Sequence, residues 1–160
     1  MVLELKLLLI LISANGAPVI LQRYYRDRYA WPIDSGYILP GGHYLFGPSK
    51  TWRGLVAGTI CSAIVAWLVG LSFLFGLIFG LLSLIGDLIS SLIKRRMNLP
   101  SSSKAFGIDQ IPEAILPLVV CSFYMEYGVK TVLLVTLSFF LLNVLVSPIL
   151  YQLGIRKNPH

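Results

Sequence analysis

The chain has 160 residues, of which 56% are hydrophobic and 12% are charged, and its mean hydropathy is +0.79. Soluble domains are about a quarter charged, so this composition excludes an ordinary soluble domain and indicates a membrane protein. The formal net charge of +6 would also suit a nucleic-acid-binding protein. Membrane proteins, however, concentrate Lys and Arg on the cytoplasmic side, and the positions of the charges favour that explanation and exclude nucleic acid as a partner.

The first apolar run predicts a membrane-spanning helix over about residues 2–22. A secretory signal peptide is the alternative, because LKLLLILI followed by SANGA resembles an apolar core with a small-residue cleavage site. The spanning helix is preferred because apolar character resumes in PVIL. In addition, the basic residues Arg23, Arg26 and Arg28 follow the segment rather than precede it.

The next apolar run is 40 residues long and is predicted to form two helices. One straight helix of that length would measure roughly 60 Å, twice the hydrocarbon thickness of a bilayer. We therefore expect spans over about 54–70 and 72–93, joined by a tight turn near Gly70. Gly76 and Gly80 form a G-x-x-x-G pair, for which packing within this chain is the preferred use.

Two further apolar runs complete the predicted fold. One is expected over about residues 111–126, with Pro112 in its first turn and a kink at Pro117. The other is expected over about residues 131–153. The predicted fold class is therefore an all-α, polytopic integral membrane protein, with a single membrane-embedded domain over residues 1–160 that contains five transmembrane helices.

The distribution of basic residues predicts the orientation. Of the 13 Lys and Arg residues, all but Lys6 and Lys130 fall at one side of the predicted spans. The positive-inside rule then places the N-terminus outside and the C-terminus inside. Two cytoplasmic loops are expected over about residues 23–53 and 94–110, and the interesting polar residues all lie on that face.

Asp87 lies near the end of an otherwise apolar run. Residues spaced by four, seven and eight positions share one face of a helix, so Asp87 forms a stripe with Ser91, Lys94 and Arg95. Intramembrane carboxylates mark ion or substrate sites. The alternative is a salt bridge at the membrane edge, in which Lys94 or Arg95 is the partner of Asp87 and reaches outwards to water.

A second acid, Asp109, precedes the next span on the same side. It is either the N-cap of that helix or a metal ligand together with Asp87. Because Mg²⁺ takes few carboxylates and keeps the rest of its shell for waters and phosphates, these two acids suffice for one or two Mg²⁺ ions. His43 and His160 have no Cys or acid at ligand spacing, so a structural zinc site is not supported.

The segment GPSKTWRG, residues 47–54, is predicted to bind phosphate. Glycines at both ends allow a close approach of the backbone, and its hydroxyl and cationic side chains suit phosphate oxygens. A basic loop that binds anionic lipid head groups, with Trp52 as an interfacial anchor, is the alternative. The segment SSSKAFGIDQ, residues 101–110, is either a solvated connector or a lid. The candidate phosphate-binding residues are Ser49, Lys50, Thr51 and Arg53.

Together, GPSKTWRG, the later GDLISSLIKRR and a loop that ends in DQIP resemble the CDP-diacylglycerol synthase superfamily, and most closely its small archaeal branch, CDP-archaeol synthase. The K-x-W-x-G-type loop of that family matches residues 50–54. Its G-D-L-x-x-S-x-x-K-R helix matches residues 86–95. The stretch rich in His and Gly in the bacterial members is replaced here by residues 104–110.

The resemblance implies a cytidylyltransferase that acts on the cytoplasmic side of the cell membrane. It would transfer CMP from CTP to a glycerol phosphate that carries geranylgeranyl ether chains, giving a CDP-archaeol-type lipid and pyrophosphate. The implied catalytic residues are Lys50, Asp87, Lys94 and Arg95, and the implied Mg²⁺ ligands are Asp87 and Asp109. The implied CTP-binding residues are Ser49, Lys50, Thr51, Arg53, Ser91, Lys94, Arg95 and Lys104.

Two other functions are alternatives to the cytidylyltransferase. A CDP-alcohol phosphotransferase would need a cluster of aspartates with D-G-x-x-A-R-type spacing, and the sequence contains none. A small transporter or channel subunit would use Asp87 on an ion pathway. Such a pathway should show polar residues at both membrane faces, whereas the predicted outer face has almost none.

Overall fold

The computed structural model describes residues 1–40, 42–101, 103 and 105–152. Over these residues the chain forms five α-helices and no named strand, with two isolated β-bridges in the first long loop. The predicted all-α class is thus confirmed. The helices are α1 (Leu3–Tyr25), α2 (Trp52–Leu68), α3 (Phe73–Arg96), α4 (Gln110–Met125) and α5 (Val129–Gln152).

Three of the helices are long and apolar enough to cross a membrane, namely α1, α3 and α5. The other two are apolar but shorter, at 17 residues for α2 and 16 for α4. The helices begin and end within a few residues of the predicted spans. α2 begins two residues early because the Thr51 hydroxyl accepts a hydrogen bond from the Gly54 N–H at 3.2 Å and caps the helix.

The predicted turn between α2 and α3 is confirmed. Gly70 adopts a φ of +77°, a conformation that favours glycine, and α3 begins three residues later. Gly76 and Gly80 then lie directly against α2, where a Cβ on either residue would overlap atoms of Ser62 or Ala66. The G-x-x-x-G pair therefore serves packing within the chain, as expected.

The apolar core fills one end of the helical bundle. Its largest members come from the first halves of α1, α3 and α5 and from the second half of α4, which runs antiparallel to α3. These positions belong to the end away from Asp87 and Asp109. The charged residues of α3 and α4 lie at the opposite end. The core includes Leu7, Ile10, Leu11, Phe79, Leu118 and Phe139.

The loop between α1 and α2 is folded back on itself rather than extended. The Ile33 N–H donates to the Lys50 carbonyl at 2.8 Å, so the two ends of the loop are paired. Buried Asp34 accepts hydrogen bonds from the backbone N–H groups of Gly36, Phe46 and Gly47 at 2.9 to 3.0 Å. Burial raises the pKa of Asp34, but these N–H donors outweigh it and hold the pKa below its ordinary value.

Candidate active site

A cavity of about 1160 Å³ opens at the polar end of the bundle. Residues from all five helices and from both long loops line it. Drug-sized ligands occupy pockets of about 300–1,000 Å³, so this cavity has room for a nucleotide together with part of a second substrate.

Asp87 forms an ion pair with Lys50 inside this cavity. The Lys50 Nζ lies 2.7 Å from Oδ1 and 2.6 Å from Oδ2 of Asp87, and both side chains are about three-quarters buried. The alternative pairing of Asp87 with Lys94 or Arg95 is therefore wrong. The physical reason is that the paired loop ends bring Lys50 to the start of α2, beside α3.

Asp109 forms a second ion pair, with Lys94, at 2.6 Å. Its Oδ2 also accepts a hydrogen bond from the Ala105 N–H at 3.0 Å. Asp109 occupies the residue before α4, but its side chain makes no capping hydrogen bond to that helix. The N-cap role is thus wrong, because the carboxylate turns towards Lys94 and the preceding loop.

The predicted stripe on α3 is confirmed as one wall of the cavity, since Asp87, Ser91, Lys94 and Arg95 all line it. The Ser91 hydroxyl donates to the Asp87 carbonyl at 3.0 Å. The Arg95 side chain is buried and donates from Nη2 to the Pro100 carbonyl at 2.9 Å, while its Nε has no hydrogen-bond partner within the described part of the chain.

The residues of GPSKTWRG do not all face the cavity. Ser49, Lys50 and Thr51 line it, and the Ser49 Oγ lies 3.4 Å from the Oγ of Ser101 in the second loop. Arg53 instead contacts the end of α1, as described below, and is absent from the cavity lining among the described residues. Lys104, a predicted CTP-binding residue, lies outside the described residues.

Gly86 sets the close approach of α3 and α4 at the site. A Cβ at this position would overlap the Pro112 carbonyl oxygen and would lie 2.7 Å from the Glu113 Cα. The glycine of the G-D-L motif therefore allows the helix that carries Asp87 to pack backbone to backbone against the helix that follows Asp109.

Three features of the site were not predicted. Glu113, which is 8% exposed, lines the cavity one turn after Asp109, and this helical spacing could have revealed it. Asp34 organises the first loop, and the sequence Asp-Ser-Gly is typical of such a side-chain-stabilised turn. A polar stripe on α1 also lines the cavity, and the positions of Asn15, Gln22 and Arg23 could have indicated it.

Two carboxylates of the cavity offer oxygen donors of the kind that Mg²⁺ takes. Asp87 and Asp109 are carboxylates from two different segments that line one cavity, and each keeps about a quarter of its side chain exposed. Within the described ranges no group of three or more His, Cys, Asp and Glu residues could hold a metal ion. A site with few protein ligands suits Mg²⁺, which completes its shell with water and substrate phosphates.

The fold and the site together define a helical membrane protein whose cavity presents paired acidic and basic side chains suited to phosphate chemistry. The family profile described as "CarS-like: CDP-archaeol synthase" matches residues 28–160. The chain belongs to this family. Membership decides between an enzyme and a transporter subunit in favour of the enzyme.

Individual relatives agree with this assignment. The chain is 29% identical to a CDP-archaeol synthase of Pyrobaculum arsenaticum over 91% of this chain and 90% of the relative. It is 35% identical to a CDP-archaeol synthase of Thermococcus kodakarensis over 74% of this chain and 69% of the relative. A solved structure described as an intramembrane enzyme for archaeal membrane lipids biosynthesis superposes with a TM-score of 0.72 at 26% identity, covering 89% of this chain and 90% of that one.

Proposed function

We propose that this chain transfers CMP from CTP to the phosphate of an isoprenoid ether glycerol phosphate, giving a CDP-archaeol-type lipid and pyrophosphate. Its family and its relatives support the cytidylyltransferase role in archaeal membrane-lipid synthesis. The observation that carries the proposal is the presence of two carboxylate–lysine pairs in one cavity, Asp87 with Lys50 and Asp109 with Lys94.

The chemistry requires charge neutralisation more than proton transfer. The attacking oxygen of the lipid phosphate is already an anion at neutral pH, so no strong general base is needed. The barrier arises because two anionic substrates must meet while negative charge grows on the leaving pyrophosphate. The described residues that line the cavity include five Lys or Arg and four Asp or Glu side chains. Its own charges therefore nearly cancel, and a triphosphate needs additional cations.

Mg²⁺ is the proposed additional cation, held by Asp87 and Asp109, and it supplies Lewis-acid neutralisation of the phosphate charge when bound. Lys50 and Lys94 each lie within hydrogen-bonding distance of one of these carboxylates. Both ammonium groups can rotate from carboxylate to phosphate oxygen on a flexible stem. They would then bind the β- and γ-phosphates and stabilise the departing pyrophosphate.

The remaining site residues position the nucleotide. The buried Arg95, with an Nε that has no partner within the described ranges, would donate to a phosphate oxygen. Ser49 and Thr51 present hydroxyls in the cavity wall beside Lys50. Ser91 is assigned to the same nucleotide wall through its position one turn after Asp87.

We also propose that all five helices cross the bilayer, with the N-terminus outside and the cavity on the cytoplasmic side. At 17 and 16 residues, α2 and α4 are about 24–26 Å long, close to the thickness of a thin hydrocarbon core. The cavity would then lie at the membrane edge, where a lipid substrate and an aqueous nucleotide can meet.

Purified protein in detergent tests the function directly. It is incubated with Mg²⁺, a geranylgeranyl ether glycerol phosphate and, separately, each of the four nucleoside triphosphates. Formation of the nucleotidyl lipid and release of pyrophosphate are both measured. We expect both products with CTP. Equal turnover with all four nucleotides, or none with any of them, would contradict the proposal.

A further inference from the structure

A single stripe of α1 forms one wall of the cavity. Its members on α1 recur at intervals of three and four residues, the spacing of one helical face, and they extend over roughly 12 Å of the helix axis. Along this length the side chains change from amide and apolar groups within the helix to guanidinium groups at its end. The stripe consists of Asn15, Pro18, Val19, Gln22 and Arg23 on α1, together with Arg26 directly after the helix.

The cations of this stripe are more exposed than those on the other walls. Lys94 and Arg95 are buried, and Lys50 is partly buried. Arg23 and Arg26 are exposed to solvent and line the same cavity. Within the described residues no ion pair or hydrogen bond engages the Arg26 guanidinium, so this group is available to a ligand.

Arg53 holds the end of α1 in place while leaving the Arg26 side chain unengaged. Its Nη2 donates to the Gln22 Oε1 at 2.8 Å and to the Arg26 carbonyl at 3.1 Å, and its Nη1 donates to the Arg28 carbonyl. The Arg53 guanidinium also lies over the Tyr25 ring. These contacts stabilise Arg26 at a φ of +49°, an unfavourable conformation for a residue with a side chain.

We propose that Arg23 and Arg26 bind the phosphate monoester of the acceptor lipid, with Arg53 as the residue that positions them. The inference depends on the proposed function, which requires two phosphate-bearing substrates in one cavity. The planar guanidinium group suits bidentate phosphate binding. Arg23 and Arg26 precede the region that matches the family profile, which begins at residue 28.

The acceptor is favoured over CTP because α1 borders the surroundings of the bundle as well as the cavity. Its other face exposes large apolar side chains, among them Leu5, Leu9, Ile12 and Ile20. In a bilayer this face contacts lipid tails, so a lipid phosphate next to α1 is already near Arg23 and Arg26. The nucleotide, in contrast, approaches from water, past the loops that carry Lys50 and Ser101.

The test compares Arg23→Gln and Arg26→Gln with Arg28→Gln as the control. Arg28 is exposed, does not line the cavity and contributes only its backbone carbonyl to the contact with Arg53. We expect the KM for the lipid phosphate to rise about tenfold, the factor that corresponds to about 1.4 kcal/mol, in each of the first two variants. The KM for CTP should stay within about twofold in all three.

A binding measurement separates this inference from the proposed function. The lipid phosphate and the corresponding uncharged lipid alcohol are titrated into wild type and Arg26→Gln in nanodiscs, without nucleotide. Wild type should bind the lipid phosphate more tightly than the lipid alcohol. Arg26→Gln should lose most of this difference in affinity, even if no nucleotide is turned over. A rise in the KM for CTP alone, or an unchanged preference for the phosphate in Arg26→Gln, would overturn the assignment.

Discussion

Substitution of Gly86 by Ala tests how the α3–α4 contact supports the site. The new Cβ would overlap the Pro112 carbonyl oxygen and lie 2.7 Å from the Glu113 Cα, whereas ordinary contacts begin at 3.4 Å, so the helices must separate by at least about 0.7 Å. Overpacking of this kind costs roughly 1–3 kcal/mol. The separation would also shift Asp87 relative to Asp109, and a displacement of about 1 Å at a reacting centre can lower a rate by about 10²-fold.

The assay measures CDP-lipid formation and thermal unfolding of the Gly86→Ala protein in detergent. Gly16→Ala is the matched control, because a Cβ at Gly16 on α1 meets nothing within 4 Å. We expect kcat/KM to fall by about 10- to 100-fold in Gly86→Ala and to stay near wild type in Gly16→Ala. Wild-type rates and an unchanged unfolding midpoint in Gly86→Ala would refute the close-packing argument.

Three further predictions follow from individual contacts. Lys50→Met should lower kcat/KM for CTP by about 10- to 100-fold, because it removes a charged hydrogen-bond donor. The control Arg96→Met changes an exposed residue outside the cavity lining and should retain activity. Similar losses in both variants would contradict a specific role of Lys50. Gly80→Ala should destabilise the fold by about 1–3 kcal/mol. The double variant Gly80→Ala/Ser62→Gly should regain stability, because Ser62 supplies the side-chain atoms that the new Cβ overlaps. A double variant as unstable as Gly80→Ala would count against the contact between Gly80 and Ser62. Asp34→Asn should lower the unfolding free energy by about 1–3 kcal/mol at pH 7. Since the folded pKa of Asp34 is lowered, its contribution is complete above the unfolded value of about 3.9 and disappears as the pH falls through the folded value. The difference from wild type should therefore shrink below about pH 4, and a difference independent of pH would contradict the ionised form.

Local sequence patterns were sufficient for the helices and for one wall of the site. The length of the apolar runs requires a turn near Gly70, and helical periodicity alone groups Asp87, Ser91, Lys94 and Arg95 on one face. Such features depend on residues close together in the chain, so periodicity and helix length predict them directly.

The ion-pair partners could not be predicted in the same way. Asp87 pairs with Lys50, 37 positions away, because the first loop folds back around Asp34 and brings its basic end to α3. Asp109 pairs with Lys94 across the second loop. Both pairs depend on loop conformation, for which the spacing of residues provides no rule. The role of Arg53 was likewise hidden, because its partners at the end of α1 are distant in sequence and include two backbone carbonyls.

The Mg²⁺ dependence of CDP-lipid formation in Asp87→Asn and Asp109→Asn tests the central claim most directly. Rates are measured with CTP over a range of Mg²⁺ concentrations, and thermal unfolding establishes that each variant is folded. We predict that both variants lose activity by about 10²-fold or more, and that residual activity requires higher Mg²⁺ than wild type. Wild-type rates with unchanged Mg²⁺ dependence in either folded variant would contradict the metal role of that residue.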